Sequence, residues 1–390
     1  MTPVRPAYGQ GSLAEVFPSI LATWSVPGAV DLLGLTGQLA GARKVAVLLV
    51  DGLGRELLPV AAPVAPVFAD ALAGRPLAGR GSQLGSLTAT FPSTTPTSLT
   101  SLGTGAAPGG HGLLGFTVNV PGTGRVLNHI DWYDDPDPLV WQPLTTQFAR
   151  AAAAGVAVRV VAAGAYVGSG LTRSAWRGGA YRPADDWLSV AEGMLGGLRE
   201  ASSPALVYGY HPDLDAQGHR FGVDSPQWRA AAVEVDQLLT RVLDGLPADA
   251  ALVVIADHGQ LDVPAAQRFD VAAKPALRAG VRVLAGEPRV RYLHTEPGAV
   301  ADVVAAWQAV LGEAAWVATR EEAIADGWFG PVVTSAHTPR IGDVVVVCRD
   351  RYAVFATDRE PPELARLVAF HGSWTAAEML VPLLVVPARD

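Results

Sequence analysis

The chain has 390 residues, which is enough for two or three domains or for one large α/β domain with an insertion. Its net charge is −8 and it contains only two lysines, Lys44 and Lys274, so binding to a nucleic-acid polymer is not expected. The sequence has neither a signal-peptide pattern nor an apolar run of about 18 residues, and its single cysteine, Cys348, allows no internal disulfide. We expect a cytoplasmic protein that does not contact a membrane, and the oligomeric state is left open.

Apolar runs alternate with helical patterns along most of the chain. The first clear run, KVAVLLV at 44–50, is continuous, which is typical of a strand buried on both faces of a parallel sheet. This alternation predicts an α/β fold with a doubly wound, mostly parallel sheet and helices on both of its faces. Further strands are predicted at 156–162, 205–210, 251–256 and 380–386, and helices at 13–24, 95–102, 144–154, 185–200 and 225–245.

A different pattern occupies residues 265–365, which we expect to form a small α+β cap. This cap would be inserted into a main domain made of residues 1–264 and 366–390. The stretch 113–143 is rich in Gly, Asn, Trp and Pro and is expected to form short hairpins at the mouth of a site. Within the cap, the pattern predicts strands at 288–294, 314–320 and 342–348, a helix at 299–311, and a strand at 351–356 that pairs with 342–348 in a hairpin.

Polar residues that could ligate a metal ion follow several of the predicted strands. Asp257 and His258 follow the strand at 251–256, and Asp51 follows the strand at 44–50. Each has a structural alternative, because such an Asp can cap a helix or turn while the His merely lies nearby. Ligands of open α/β sheets bind at the carboxyl ends of the strands, so we expect these side chains to converge there. The expected set is Asp51, Thr95, Asp215, His219, Asp257, His258 and His371.

The chemistry of this set favours a metal site. Asp215 and His219 are four residues apart, which places both on one face of a helical turn. Imidazole and carboxylate ligands suit Zn²⁺ or a similar first-row ion, and three protein ligands per ion leave a position open for substrate. Thr95, followed by Pro96, is either a helix N-cap or a nucleophile at a helix N-terminus, where backbone N–H groups help to bind phosphate. Neighbouring Ser and Thr residues are numerous, so composition does not choose among them.

Several motifs together resemble the alkaline phosphatase superfamily, and most closely its type I phosphodiesterase/nucleotide pyrophosphatase branch, which includes phosphonoacetate hydrolase. The motifs are VLLVDGLG (47–54), FPSTT (91–95), TG-x2-P-x2-HG (104–112), LDAQGH (214–219), ADHG (256–259) and FHGSW (370–374). The resemblance implies an alkaline phosphatase-like fold and two Zn²⁺ ions per chain, or another divalent first-row metal.

The resemblance also implies a division of the ligands. Asp51, Asp257 and His258 would hold one ion, and the other would be held by Asp215, His219 and His371. Counting nine residues back from Thr104-Gly105 gives Thr95 as the nucleophile, which would contact the metals and form a phosphothreonine intermediate.

The sequence departs from the family pattern at Ser98, where the family has an Asn that binds a phosphoryl oxygen. Ser98 is therefore the expected substrate-binding residue, with one hydrogen-bond donor instead of two. The sulfatase signature Cys-x-Pro-x-Arg and the Asp-Ser-Ala pattern of true alkaline phosphatases are absent. The implied function is metal-dependent hydrolysis of phosphodiester or pyrophosphate bonds in a small, nucleotide-like substrate. A phosphonate hydrolase and a non-catalytic or mutase-like relative stay open as alternatives.

The charge of the segment around Thr95 indicates which substrate charge the site would prefer. From Gly81 to His111 the sequence contains neither Lys nor Arg, which favours singly charged phosphoryl esters over monoester dianions. An arginine from elsewhere, for instance Arg125, Arg173 or Arg220, could still reach the site.

Overall fold

In residues 2–201 and 204–389, which the computed structural model describes, seven strands form a central sheet. The strands of the chain are β1 (Lys44–Val50), β2 (Gln83–Thr88), β3 (Thr117–Asn119), β4 (Val126–Asn128), β5 (Ala157–Ala162), β6 (Ala180–Pro183), β7 (Ala205–His211), β8 (Ala250–Ile255), β9 (Leu261–Asp262), β10 (Arg268–Asp270), β11 (Val281–Glu287), β12 (Val290–Thr295), β13 (Ala315–Thr319), β14 (Val344–Cys348), β15 (Ala353–Phe355), β16 (Ala369–Phe370) and β17 (Leu380–Val386).

Helices connect most of the sheet strands. The α-helices are α1 (Val16–Ala22), α2 (Leu35–Gln38), α3 (Leu58–Ala61), α4 (Pro66–Leu72), α5 (Thr95–Thr104), α6 (Pro108–His111), α7 (Pro138–Trp141), α8 (Gln147–Ala153), α9 (Gly170–Ala175), α10 (Trp187–Glu200), α11 (Asp213–Phe221), α12 (Pro226–Gly245), α13 (Pro275–Arg278), α14 (Val300–Leu311), α15 (Arg320–Ala325) and α16 (Ala376–Met379). Short 3-10 helices lie at Leu13–Glu15, Arg55–Leu57, Gly164–Tyr166, Ala265–Gln267, Gly312–Ala314, Thr338–Arg340 and Leu364–Arg366.

The central sheet has the strand order β2-β17-β8-β1-β7-β5-β6. It is parallel except for β17, which runs antiparallel to both β8 and β2. Side chains of β7 show that helices cover both faces, because successive residues of a strand point to opposite sides. The ring of Tyr208 packs against Phe17 of α1 and Phe148 of α8, while Gly209 lies against Met194 of α10. The predicted doubly wound α/β sheet is therefore confirmed.

The strands predicted at 44–50, 156–162, 205–210, 251–256 and 380–386 agree with the structure to within one residue at each end. β1, β7, β8 and β17 are buried over nearly their whole length, as expected for strands covered on both faces, whereas only the second half of β5 is buried. The predicted helix at 13–24 instead starts as a 3-10 turn, and α1 ends at Ala22. The thiol of Cys348 is free and buried at the end of the apolar strand β14.

A second, antiparallel sheet in the order β11-β12-β14-β13 packs against α14 around its own apolar core, which includes Leu277, Trp307 and Val346. This architecture agrees with an α+β unit, and the limits 265 and 365 stay predictions. The predicted hairpin between 342–348 and 351–356 is wrong. Strand β14 already has β12 and β13 on its two sides, so β15 pairs in parallel with β10 instead.

Across residues 2–201 and 204–389, no helix combines the length and apolar composition that a membrane crossing requires.

Candidate active site

The carboxyl ends of three adjacent parallel strands, β7, β1 and β8, form the base of the site. Asp51 directly follows β1, and its backbone N–H donates to the carbonyl of His211 at the end of β7, 3.0 Å away. Asp257 lies two residues after β8 and accepts a hydrogen bond from the backbone N–H of Gly52 at 3.1 Å. The order of the strands thus brings Asp51 and Asp257 together, as parallel neighbours predict.

Gly52 is required by this arrangement for two reasons. Its φ of +71° lies in the left-handed region, which is costly for other residues. A Cβ at this position would also lie 2.8 Å from the Cβ of Asp215, on the neighbouring helix α11. The Asp-Gly pair therefore allows the chain to turn sharply after β1 while the carboxylates of Asp51 and Asp215 approach each other.

The first group of candidate ligands consists of Asp51, Asp257 and His258. The Nε2 atom of His258 lies 3.2 Å from Oδ2 of Asp257 and 3.6 Å from Oδ1 of Asp51. Burial, and then the charges of Asp257 and Asp215, raise the pKa of Asp51 well above its ordinary value. Within the described part of the chain, Oδ1 of Asp51 and Oδ2 of Asp257 are buried without a hydrogen-bond partner. These oxygens require a cation if both carboxylates are to be ionised.

The second group consists of Asp215, His219 and His371. Helix α11 places Asp215 and His219 on one face, with Oδ2 and Nε2 separated by 3.1 Å. His371 follows β16, and its Nε2 lies 3.2 Å from Nε2 of His219. The ligand atoms of each group lie within 4.8 Å of one another. The two groups also touch, since the rings of His258 and His371 stack with centroids 3.6 Å apart.

Backbone carbonyls orient all three imidazoles. Nδ1 of His219 lies 2.7 Å from the carbonyl of Ala369, and Nδ1 of His371 lies 2.9 Å from that of Ser93. Nδ1 of His258 lies 3.2 Å from the carbonyl of Gly259. Because a carbonyl only accepts hydrogen bonds, Nδ1 must carry the proton in each ring. In the neutral imidazole, Nε2 then presents a lone pair to the site, as in many metal-binding histidines.

The facing lone pairs test whether a metal fits these residues. Two unprotonated Nε2 atoms, those of His219 and His371, point at each other over 3.2 Å, which is unfavourable without a cation between them. A tetrahedral zinc ion with bonds of about 2.0–2.1 Å separates its ligand atoms by roughly 3.3–3.4 Å. The shortest ligand contacts in both groups, 3.1–3.2 Å, are close to this separation. The residues therefore fit a pair of divalent ions.

Thr95 lies beside both groups, with its Oγ1 atom 3.1 Å from Nε2 of His258. Helix α5 starts at this residue, so the structure brings the hydroxyl and the helix N-terminus to the same point. The predicted N-cap role of Thr95 is wrong by one position: Thr94 is the N-cap, with extended backbone and without a side-chain capping bond. All seven residues of the predicted metal and nucleophile set thus meet at one sheet edge, and their roles stay predictions.

Ser98 is not brought to this site. Its side chain is fully buried, and its hydroxyl lies 3.4 Å from Oγ1 of Thr90. Residues on an α-helix are separated by 100° in projection, and one position further along, Leu99, faces the cleft instead. The structure therefore contradicts the prediction that Ser98 binds substrate, because the helix turns that side chain into the protein interior.

A cleft of about 330 Å³ opens over the two ligand groups. None of the described residues that line the cleft is a lysine or arginine. Arg125 pairs with Asp135 at 3.1 Å, Arg173 pairs with Asp134 at 2.8 Å, and Arg220 is exposed. The cleft therefore offers apolar contact and few charges to a substituent of the substrate. Its apolar walls include Leu99, Phe116, Ile130, Leu171, Trp176 and Phe370.

Three further polar residues support or line the site and were missed by sequence reasoning. The Tyr210 hydroxyl donates to Oδ2 of Asp51, and the Gln260 amide donates to Oδ1 of Asp215 at 2.5 Å. Glu287 ends β11 and lines the cleft 3.9 Å from Nδ1 of His371, and burial raises its pKa to about 8. Gln260 directly follows the Asp-His-Gly motif, so its position was the available signal. Glu287 had none, because β11 itself was not predicted.

Comparison with known proteins agrees with this geometry. The type I phosphodiesterase/nucleotide pyrophosphatase family pattern matches residues 45–374. Murine ectonucleotide pyrophosphatase/phosphodiesterase 5 is 19% identical, with a TM-score of 0.68 and 88% of each chain covered. An inactive form of that protein in complex with AMP is 18% identical, with a TM-score of 0.69, covering 89% of this chain and 88% of the other.

Phosphonoacetate hydrolase from Sinorhizobium meliloti 1021, in complex with phosphonoformate, is 19% identical, with a TM-score of 0.66. That match covers 88% of this chain and 90% of the hydrolase. A comparison of this chain with curated proteins found no match. The structural matches show a shared alkaline phosphatase-like α/β fold. Because the family pattern spans most of its length, the chain belongs to the type I phosphodiesterase/nucleotide pyrophosphatase family of the alkaline phosphatase superfamily.

Proposed function

We propose that this protein is a two-metal hydrolase that cleaves small phosphodiesters through a phosphothreonine intermediate at Thr95. The observation that carries the proposal is the convergence of unshared lone pairs from both ligand groups around one hydroxyl, that of Thr95. Asp51, Asp257 and His258 would hold one ion, and Asp215, His219 and His371 the other. The imidazole and carboxylate donors suit Zn²⁺.

Two bound divalent ions would lower the pKa of a nearby hydroxyl and offset negative charge on the phosphoryl oxygens. Thr95 then acts as the nucleophile: its oxygen forms a bond to phosphorus, the bond to the leaving alcohol breaks, and the hydroxyl proton ends on that alcohol. The resulting phosphothreonine keeps the second organic substituent on phosphorus, so its hydrolysis by water frees Thr95 and releases a phosphate monoester. Tyr210 and Gln260 keep Asp51 and Asp215 in position by donating hydrogen bonds to them.

The cleft supports a diester as the substrate. A diester carries one negative charge and a second organic substituent, and the apolar wall near Trp176 and Phe116 suits a neutral substituent. Phosphonoacetate carries a carboxylate beside its phosphonate, and no described residue lining the cleft is a cation that could pair with it. Phosphonate hydrolysis is therefore the less supported alternative. A cytoplasmic location stays a prediction from the sequence.

The proposal is tested by hydrolysis assays on protein that has been stripped with a chelator and reloaded with Zn²⁺. A nitrophenyl nucleotide diester and bis-nitrophenyl phosphate should be cleaved only after reloading, and phosphonoacetate should not be cleaved. Thr95→Ala should abolish turnover, while Thr97→Ala, the same change two residues along α5, should retain it. Cleavage of phosphonoacetate alone would favour the phosphonate hydrolase, and full activity of Thr95→Ala would refute the nucleophile.

A further inference from the structure

We propose that His211, Asp213 and Glu234 form a third metal site, which binds a divalent first-row cation such as Zn²⁺. The three residues share no ligand with the two groups at the active site. One nitrogen or oxygen atom from each lies within 4.8 Å of the others. The proposal does not rest on the proposed function.

His211 would supply the buried nitrogen ligand of this site. It ends β7, and the alternation of the strand turns it away from Tyr210, which donates to Asp51 on the active-site side. Its side chain is 2% exposed. Among residues 2–201 and 204–389, its Nε2 atom has no hydrogen-bond partner. A buried polar atom without a partner is costly, so this nitrogen calls for a ligand.

Asp213 and Glu234 complete the group from two different helices. Asp213 is the first residue of α11, and its Oδ2 lies 3.8 Å from Nε2 of His211, which is too long for a hydrogen bond. Glu234 lies in the middle of α12 and is half-buried. Carboxylate oxygens of Asp213 and Glu234 lie within 4.8 Å of each other, so the two ionised groups repel. A cation bound by both carboxylates and the imidazole would offset this repulsion.

The chemistry of the three donors selects the kind of cation. One imidazole nitrogen with two carboxylates suits Zn²⁺ or Mn²⁺ better than Ca²⁺ or Mg²⁺, which prefer oxygen ligands alone. The Asp213 side chain is 45% exposed, so the ion has a path of entry and water can complete its coordination.

A bound ion would also tie three elements together. It would link the end of β7, the start of α11 and the middle of α12. Helix α11 carries Asp215 two residues after Asp213, so an ion at this site would fix the start of the helix that supplies two of the active-site ligands.

The test is a count of zinc per chain. Full-length protein is stripped with a chelator, reloaded with Zn²⁺, freed of excess metal by gel filtration and measured by mass spectrometry. Wild type is compared with Glu234→Gln and Asp213→Asn. Both residues are partly exposed, so we expect both variants to fold. Asp244→Asn, an exposed carboxylate on the same helix, is the matched control. Circular dichroism of each stripped protein checks that the fold is intact.

We expect three zinc ions in wild type and in Asp244→Asn, and two in Glu234→Gln and in Asp213→Asn. His371→Ala, measured in parallel, should lose an ion from the active site, and combining it with Glu234→Gln should remove one more. Equal zinc counts in wild type, Glu234→Gln and Asp213→Asn would overturn the third site and leave the active-site proposal standing. Loss of zinc in Glu234→Gln but not in His371→Ala would support the third site and contradict the assigned ligand role of His371.

Discussion

A phosphate monoester should be a poor substrate, because none of the described side chains in the cleft is a lysine or arginine that could pair with its second negative charge. The described residues that line the cleft include Asp51, Asp215 and Glu287 but neither lysine nor arginine. A hydrogen bond to a charged group contributes roughly 1.5–3 kcal/mol. One missing bond of this kind corresponds to a preference for the diester of about tenfold to a hundredfold, since 1.4 kcal/mol is roughly a factor of ten.

The assay compares kcat/KM for nitrophenyl phosphate and a matched nitrophenyl alkyl diester on zinc-loaded protein. Thr172 lines the cleft on α9 and is half-buried, so it offers a place to add the missing charge. Thr172→Arg should narrow the preference by about tenfold, which is the lower end of the range expected for one charged hydrogen bond. Thr172→Gln adds a long neutral side chain at the same position and should leave the ratio near that of wild type.

A wild-type enzyme that prefers the monoester would refute this account of selectivity. Thr172→Arg and Thr172→Gln variants with the same ratio of kcat/KM for diester over monoester would also refute it, because the added charge would then have no measurable effect on substrate preference.

Three further outcomes are expected. Thr95→Ser should retain part of the activity and both active-site metals, because the hydroxyl remains while the methyl group that restricts its rotamer is lost; steady-state kinetics and metal analysis decide this, and activity as low as that of Thr95→Ala would contradict it. His371→Ala should lose one metal but keep its fold, as measured by mass spectrometry and circular dichroism, and an unchanged metal content would remove His371 from the ligands. Glu378→Ala should lower the free energy of unfolding by about 3–5 kcal/mol, because it leaves the fully buried guanidinium of Arg289 without its bidentate partner. Arg229→Ala, which breaks the exposed pair with Asp224, should lower it far less, and similar losses in both variants would contradict the argument from burial.

The central sheet could be predicted because several of its buried strands are visible in the sequence as uninterrupted apolar runs. KVAVLLV and LVPLLVV are continuous apolar runs, and both became strands with the predicted limits. The positions of the site residues followed from the same pattern, since Asp51 and Asp257 lie within two residues of the ends of strands that turned out to be neighbours. Local sequence sufficed here because the parallel arrangement alone brings strand ends together.

Side-chain direction and non-local pairing could not be predicted in the same way. Ser98 and Leu99 are adjacent, and only the rotation of α5 decides which of them faces the cleft. Strand β15 has the composition of a hairpin partner, but its pairing depends on which strand edges the sheet β11-β12-β14-β13 leaves free. Glu287 enters the cleft from that same sheet, so its position depends on contacts between segments far apart in sequence.

The carbonyl groups that orient His219, His258 and His371 belong to the main chain. Two of them, those of Ala369 and Ser93, are far in sequence from the histidines that they orient, His219 and His371. A backbone carbonyl is present whatever side chain its residue carries. Replacement of those supporting residues during evolution therefore need not disturb the tautomer or the direction of the imidazoles, provided that the chain keeps its path. Such a centre can tolerate extensive divergence of the sequence around it, because inheritance of the fold already includes inheritance of the groups that aim its histidines.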